Sequence, residues 1–531
     1  MSLCVSRVAC PPFHFLMCEV PPAANSVSSV YSVVFHVIQQ RKDKWLVSGA
    51  ESVYTRVDLR KRFRLYEGLF WGRREIAMEI SRRSFMMSAV AAGAMGSFAQ
   101  PFRARRQVAA NEKLCHACIG VGGMGGVDIR NFHSHPGTEI VAICDVDQNH
   151  LNAAAQLVPN ARKYTDWRTM LEKEGDRIDS VNIAIPDHMH ALVATTALEH
   201  GKSVYCQKPL CHDVAECRKL AETVKRTGLV SQLGTQYAAG IGDRLAVAWL
   251  RQGAIGQVKK VYLCSNRPAA IETYRLLGPR PAKGETPPST LAWDLWLGTA
   301  PAREFSPKIY HPMLWRAWQD FGTGWSGDIG CHIFDAVWKG LNMGAQAPLT
   351  VKAEVQESWK KDAARFADTW PQSDHITWTF AGNAASGGKP FTMEWFDGLI
   401  FPPEDGQKIA REVGFDHFPD EGMMVFGTEG ALVLPHTSGP RLWPVEKFKD
   451  YPKPKLEGRN HYHHFLDACL GKEMCESHFV QTGPMAETII LGTVAIRAPD
   501  RELAWDAPAL AFKGDGADVN RFLRRTYRTG W

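Results

Sequence analysis

The sequence predicts an α/β fold that opens, over about residues 111–236, with a doubly wound parallel sheet. Three observations predict it. Strand-length apolar runs alternate with helix-length amphipathic runs, a glycine-rich turn joins the first strand to the first helix, and an acid closes the second strand.

Leu114–Ile119 reads as a short buried strand, followed by Gly120-Val121-Gly122-Gly123-Met124-Gly125 and a helix through Val127–Phe132. This is G-x-G-x-x-G in its dinucleotide-binding context, the mark of a Rossmann domain. Gly120 permits the tight turn, Gly122 lets a pyrophosphate approach the backbone, and Gly125 lets helix pack on strand. Val121, Gly123 and Met124 complete the loop, and the helix N-terminus offers its free N–H groups to phosphate. The second strand, Glu139–Cys144, ends in Asp145, placed to accept from ribose hydroxyls and to repel a 2′-phosphate. NAD is therefore expected over NADP.

The alternation continues through helices at Leu151–Leu157 and Trp167–Lys173 and a strand at Ser180–Ile185, ending in Pro186-Asp187-His188-Met189-His190. A helix to Glu199, the strand Ser203–Cys206, the helix Val214–Thr227 and the strand Leu229–Leu233 complete the set. Ligands bind at the carboxyl ends of such strands. Pro186, His190, Gln207 and Lys208 occupy those ends and join the cofactor-binding set.

Composition is that of a globular chain: 531 residues, 45% hydrophobic and 22% charged. The net charge of +6 is uneven, since residues 1–110 carry 16 Lys and Arg against 7 Asp and Glu, which leaves the remainder at −3. A slightly acidic folded part excludes a nucleic-acid groove. Cys115 and Cys118 form C-x-x-C inside the first strand, where alternate residues face opposite sides, so they read as buried thiols.

Ser81-Arg82-Arg83-Ser84-Phe85-Met86 has the pattern of a twin-arginine export signal, followed by a small-residue stretch too short to span a membrane. Residues 78–110 are read as that signal region. An exported, periplasmic protein that meets the export machinery while folded is expected, carrying a tightly held cofactor. Met78 stands where an initiator belongs, and residues 1–77, without sustained periodicity, read as a doubtful extension.

After Gln236 the pattern changes to a helix at Asp243–Arg251, a strand at Val258–Ser265, and a Pro- and Trp-rich stretch. Further on, Asp328 and His332 are four apart in Gly327-Asp328-Ile329-Gly330-Cys331-His332. On a helix this spacing puts a carboxylate beside an imidazole, about 5–6 Å between Cβ atoms, where it supports a general base. Together with Gly120–Gly125, Pro186–His190, Lys208-Pro209, Trp293–Gly298 and Glu487–Arg497, these residues resemble the glucose–fructose oxidoreductase and inositol dehydrogenase (Gfo/Idh/MocA) family from about Asn111 to the end.

The resemblance implies a C-terminal α/β domain on a large, open, mainly antiparallel sheet, here 237–480, with 481–531 packing back on the Rossmann domain, and a homo-oligomer. It implies Lys208, Asp328 and His332 as catalytic residues for hydride transfer between a sugar, polyol or glycoside carbinol and nicotinamide. One departure stands out: the family's Glu-Lys-Pro is Gln207-Lys208-Pro209 here, an amide that can hydrogen-bond but supplies no charge, which predicts a lysine more readily neutral.

Substrate contacts are expected from Trp293, Arg316, Trp325 and His461. No metal is expected at His461-Tyr462-His463-His464. Two rival functions follow from the same resemblance: a glycosidase or lyase working by transient C3 oxidation and elimination, and a non-catalytic sugar-binding regulator. Retention of Lys208, Asp328 and His332 together argues against the second.

Overall fold

The computed structural model describes residues 112–274 and 278–531, with the backbone of five strands between residues 35 and 77. Those five fall within residues 1–77, the doubtful extension. Phe35–Gln40, Lys44–Gly49 and Tyr54–Asp58 form an antiparallel sheet, and Arg64–Glu67 pairs with Arg74–Ala77. Antiparallel neighbours satisfy each other's backbone groups whether or not the side chains alternate. The twin-arginine run lies outside the described residues.

The first domain follows the predicted alternation, with β3 added to it: β1 (Leu114–Ile119), α1 (Gly123–His133), β2 (Thr138–Cys144), α2 (Gln148–Leu157), β3 (Arg162–Tyr164), α3 (Trp167–Glu174), β4 (Ser180–Ile183), α4 (Asp187–Glu199), β5 (Ser203–Cys206), α5 (Val214–Thr227) and β6 (Ser231–Leu233). The strands are parallel in the order β3-β2-β1-β4-β5-β6. The order reverses between β1 and β4, which opens a crevice at their carboxyl ends. Helix α5 shows how local sequence fixes an element. Asp213 caps its N-terminus in a reciprocal box with Glu216, and Gly228 ends it at φ +66°.

The second domain comprises α6 (Ile241–Arg251), β7 (Val258–Ser265), α7 (Gly324–Gly340), β8 (Thr350–Val355), β9 (Asp374–Phe380), β10 (Phe391–Asp397), α8 (Glu404–Glu412), β11 (Glu421–Gly427), β12 (Ala431–Pro435), β13 (Arg441–Trp443), α9 (His461–Cys469), α10 (Phe479–Ile496), β14 (Leu503–Asp506) and β15 (Ala511–Phe512). Its nine strands run β13-β12-β11-β7-β10-β9-β8-β14-β15, and only β7 and β10 pair in parallel.

Helix α10 joins the two domains. It is long and apolar enough to cross a membrane, yet most of it is buried. The Trp378 indole of β9 donates to Thr488 O at 2.8 Å, and Arg218 of α5 forks onto Glu487 at 2.8 and 2.5 Å. The segment after residue 481 therefore packs against α5 of the first domain. Nine of the ten cysteines of the described residues are buried, and Cys115 is half-buried.

Candidate active site

A cleft of about 400 Å³ follows the crevice. At one end stands the glycine turn. Gly120 has φ +79°, and a Cβ there would fall 2.2 Å from Ala184 O on the loop after β4, so only glycine closes this turn. Gly122 lies equally close to a neighbour, though not the expected one. A Cβ at Gly122 would meet the His150 ring at 2.2 Å, so it is the imidazole of α2 that needs the space.

Asp145 does more than close β2. Its Oδ2 accepts from Val121 N at 2.8 Å and Gly122 N at 3.2 Å, and its Oδ1 accepts from Asp147 N at 2.9 Å. Two N–H groups expected to face phosphate thus hold the acid in place. Helix α1 itself has no side-chain cap and no acid in its first turn, and Gly122, Gly123 and Met124 line the cleft. Its free N–H groups beside a fixed carboxylate fit a dinucleotide's pyrophosphate and ribose. Asp147, His150 and His311 gather beside Asp145, with His311 Nε2 3.2 Å from Asp147 Oδ2. That grouping joins distant loops and left no mark in the sequence.

At the other end Lys208 follows β5, and its Nζ donates to Asp328 Oδ1 on α7 at 2.7 Å. Arg316 Nε stands 3.6 Å from the other oxygen, Asp328 Oδ2. Burial pushes the Asp328 carboxyl up, but the charges of Lys208 and Arg316 outweigh it and hold the group below its ordinary range. Lys208 therefore has a carboxylate partner although residue 207 is an amide. The acid comes from the other domain. Gln207 points elsewhere, its Nε2 donating to both oxygens of buried Asp128 at 2.8 and 2.9 Å.

His332 lies one turn beyond Asp328, but no hydrogen bond joins them. Asp328 is committed to the lysine and does not orient the imidazole. His332 Nδ1 is buried without a partner, and the ring faces His436 and Tyr237 at centroid distances of 5.3 and 6.4 Å. Burial, and then the positive charge of Lys208, hold this imidazole well below its usual pKa, hence neutral. Asp335 pairs with Lys339 at 2.7 Å and takes no part.

The other expected contacts divide. Pro186, Lys208 and Arg316 line the cleft. His190 does not: its ring nitrogens face the carbonyls of Pro209 and Ile185 at 2.6 and 2.7 Å, bracing two loops. Trp293 stacks on Trp296 at 4.7 Å in an aromatic core, because positions three apart on a short helix share a face; Trp296 and Trp315 reach the cleft instead. Trp325 is buried and donates to Ser265 O, and His461 Nε2 bonds Leu233 O at 2.9 Å in the domain core. His463 meets Ser134 and His464 meets Glu473, so these histidines diverge.

Asp187 was missed although the Pro186–His190 motif contains it. It lines the cleft, accepts from Thr323 Oγ1 at 3.1 Å, and is pushed up to about 8 by burial and then by Asp328. His436 and Tyr237 come from segments with no motif, so only the fold brings them to His332.

Two family profiles match the chain: "Oxidoreductase family, NAD-binding Rossmann fold" over residues 115–235 and "Oxidoreductase family, C-terminal alpha/beta domain" over 253–385. The inositol 2-dehydrogenase of Rubrobacter xylanophilus is 32% identical over 119 residues, 22% of this chain and 33% of that protein. A glycosyl hydrolase family 109 protein of Shewanella pealeana is 31% identical over 149 residues, 26% of this chain and 32% of its own length. The chain thus spans about a third of the length of these curated relatives. The WlbA dehydrogenase of Bordetella pertussis, solved with NADH and UDP-GlcNAcA, shares the fold at a TM-score of 0.50 and 15% identity, over 74% of this chain and 99% of that one.

Proposed function

We propose that this chain, which belongs to the Gfo/Idh/MocA family of oxidoreductases, interconverts a carbinol and a carbonyl on a sugar, polyol or glycoside. A nicotinamide dinucleotide along the cleft supplies the hydride acceptor and donor. The observation that carries the reading is the 2.7 Å bond from Lys208 Nζ to Asp328 Oδ1, which fixes an ammonium from one domain against a helix of the other. Held there, Lys208 stabilises negative charge developing on the substrate oxygen. His332, kept neutral by burial, is the base to which this reading gives the hydroxyl proton. Asp145 favours NAD over NADP.

The test is to assay the purified protein for bound dinucleotide and for turnover on a panel of sugars, polyols and aryl glycosides. Lys208→Ala and His332→Ala should each lower kcat/KM by about 10²-fold or more while leaving dinucleotide affinity within a few fold. Undiminished turnover in either variant sinks the assignment.

The likeness to a glycosyl hydrolase family 109 protein supports a second reading, in which the hydride returns to the substrate after elimination of an aglycone. Aglycone release without net NADH separates it from the first. Export by the twin-arginine route rests on Arg82 and Arg83; Arg82→Lys/Arg83→Lys should retain the protein in the cytoplasm, as cell fractionation would show.

A further inference from the structure

Away from the cleft, a cavity of about 120 Å³ lies between the residues preceding α5, the last turn of α10 and the C-terminal tail. Three guanidinium groups line it. Arg525 commits Nη2 to Glu216 Oε1 at 2.9 Å and to the His188 carbonyl, but its Nη1 is buried without a partner, and its Nε stands 3.5 Å from Asp213 Oδ2. Arg497 lies between the Trp370 and Phe522 rings, 4.8 Å from each centroid, with its Nε buried and unpartnered. The acids that act on it, Asp320 and Asp213, do so without an ion pair. Arg521 is exposed, over the other contact of Phe522.

The facing acid is already engaged. Asp213 Oδ1 accepts from Glu216 N as the cap of α5, and Oδ2 accepts from Arg525 N at 3.2 Å. Positive charge and unused N–H groups therefore exceed what the protein supplies against them. Arg497, buried without an ion pair, lacks a close counter-charge, which contact with the aromatic faces only partly offsets.

The fourth polar group is of the opposite kind. His212 is 7% exposed, and its Nε2 lies 2.9 Å from the Gln319 carbonyl, which accepts the ring's proton. Its Nδ1, buried and unpartnered, is then a lone pair on a residue that lines the same cavity. Arginine donors together with one acceptor suit an oxyanion that still carries a proton.

We propose that this cavity binds hydrogen phosphate, the arginines taking its oxygens and His212 Nδ1 accepting from its P–OH. The cavity is large enough for one tetrahedral oxyanion. Sulfate, which has no proton to give at neutral pH, is the discriminating analogue. The bound ion would tie the tail to α5 and α10. Through the bond from Arg525 to the His188 carbonyl it would also brace α4, whose first residue, Asp187, lines the cleft.

The test is calorimetric titration of the full chain with inorganic phosphate and with sulfate, at constant ionic strength in chloride, repeated on Arg521→Gln and Arg497→Gln. Saturable phosphate binding at least about tenfold tighter than sulfate is expected, weakened about tenfold or more by each substitution. Arg521 is exposed, so its variant keeps the test open if Arg497→Gln does not fold. Absence of saturable phosphate binding overturns the proposal. So does equal affinity for sulfate, or undiminished binding in Arg521→Gln, which would place phosphate at the N-terminus of α1 instead.

Discussion

At the scale of residues, the exchange of the family's glutamate for Gln207 is explained by what lies behind it. Asp128 is fully buried, and burial raises its carboxyl to about 7 against the lowering effect of Gln207, Tyr462 and Asn182. Gln207→Glu would set two carboxylates less than 3 Å apart. It should destabilise the protein by about 3–5 kcal/mol at pH 8 and much less at pH 5, where the pair shares a proton. Asp128→Asn in the same chain should restore stability. Urea unfolding at the two pH values decides it, and an equal loss at both would refute the account. For His332 the sign runs the other way. Its lowered pKa keeps the base form present, so kcat/KM should hold as pH falls through 6.5, where an ordinary histidine would titrate. The lysine, the aspartate and the histidine were legible because they sit in motifs. Their pairing was not, because the 2.7 Å contact of Lys208 and Asp328 spans 120 residues of chain.

At the scale of elements, the strands and helices of the first domain were legible except β3, a three-residue polar edge strand with no buried run to mark it. The second domain was legible only in part. β7 was read at its full length, whereas β8 and β11 were not anticipated. Helix α10 was expected to return to the first domain, but not to serve both the open sheet and α5 with one apolar surface. Where α10 crosses α5, a Cβ on Gly483 would stand 2.8 Å from the Ala221 Cβ, so the approach is as close as two helices allow. Gly483→Leu should overpack this crossing and cost about 1–3 kcal/mol, against at most a few tenths if the face were open. Ala221→Gly should recover part of the loss, and thermal unfolding of the single and double variants measures the coupling.

At the scale of the whole molecule, the two domains share one store of buried titratable groups, and their directions predict how stability follows pH. Asp187 and Asp243 are raised to about 8, and Asp128, Asp213 and Asp397 to about 7, chiefly by burial. The unfolded chain has released these protons by pH 5, so the native state holds the excess, and stability must fall as pH rises toward 8. The buried histidines act on the other side. His116, His188 and His461 are lowered to about 3, so the unfolded chain gains protons below 6.5 that the native state refuses. Below 6.5 the two sets oppose each other and flatten the profile; above it the acids act alone, joined by the raised His150 and His375. Tm should therefore drop by several degrees between pH 6.5 and 8 and change much less between 5 and 6.5. Asp243→Asn, which removes one of the late-titrating acids away from the cleft, should make the decline shallower. A Tm that stays level or climbs from pH 6.5 to 8 would show that these carboxyls are ionised in the native protein, with partners other than those described.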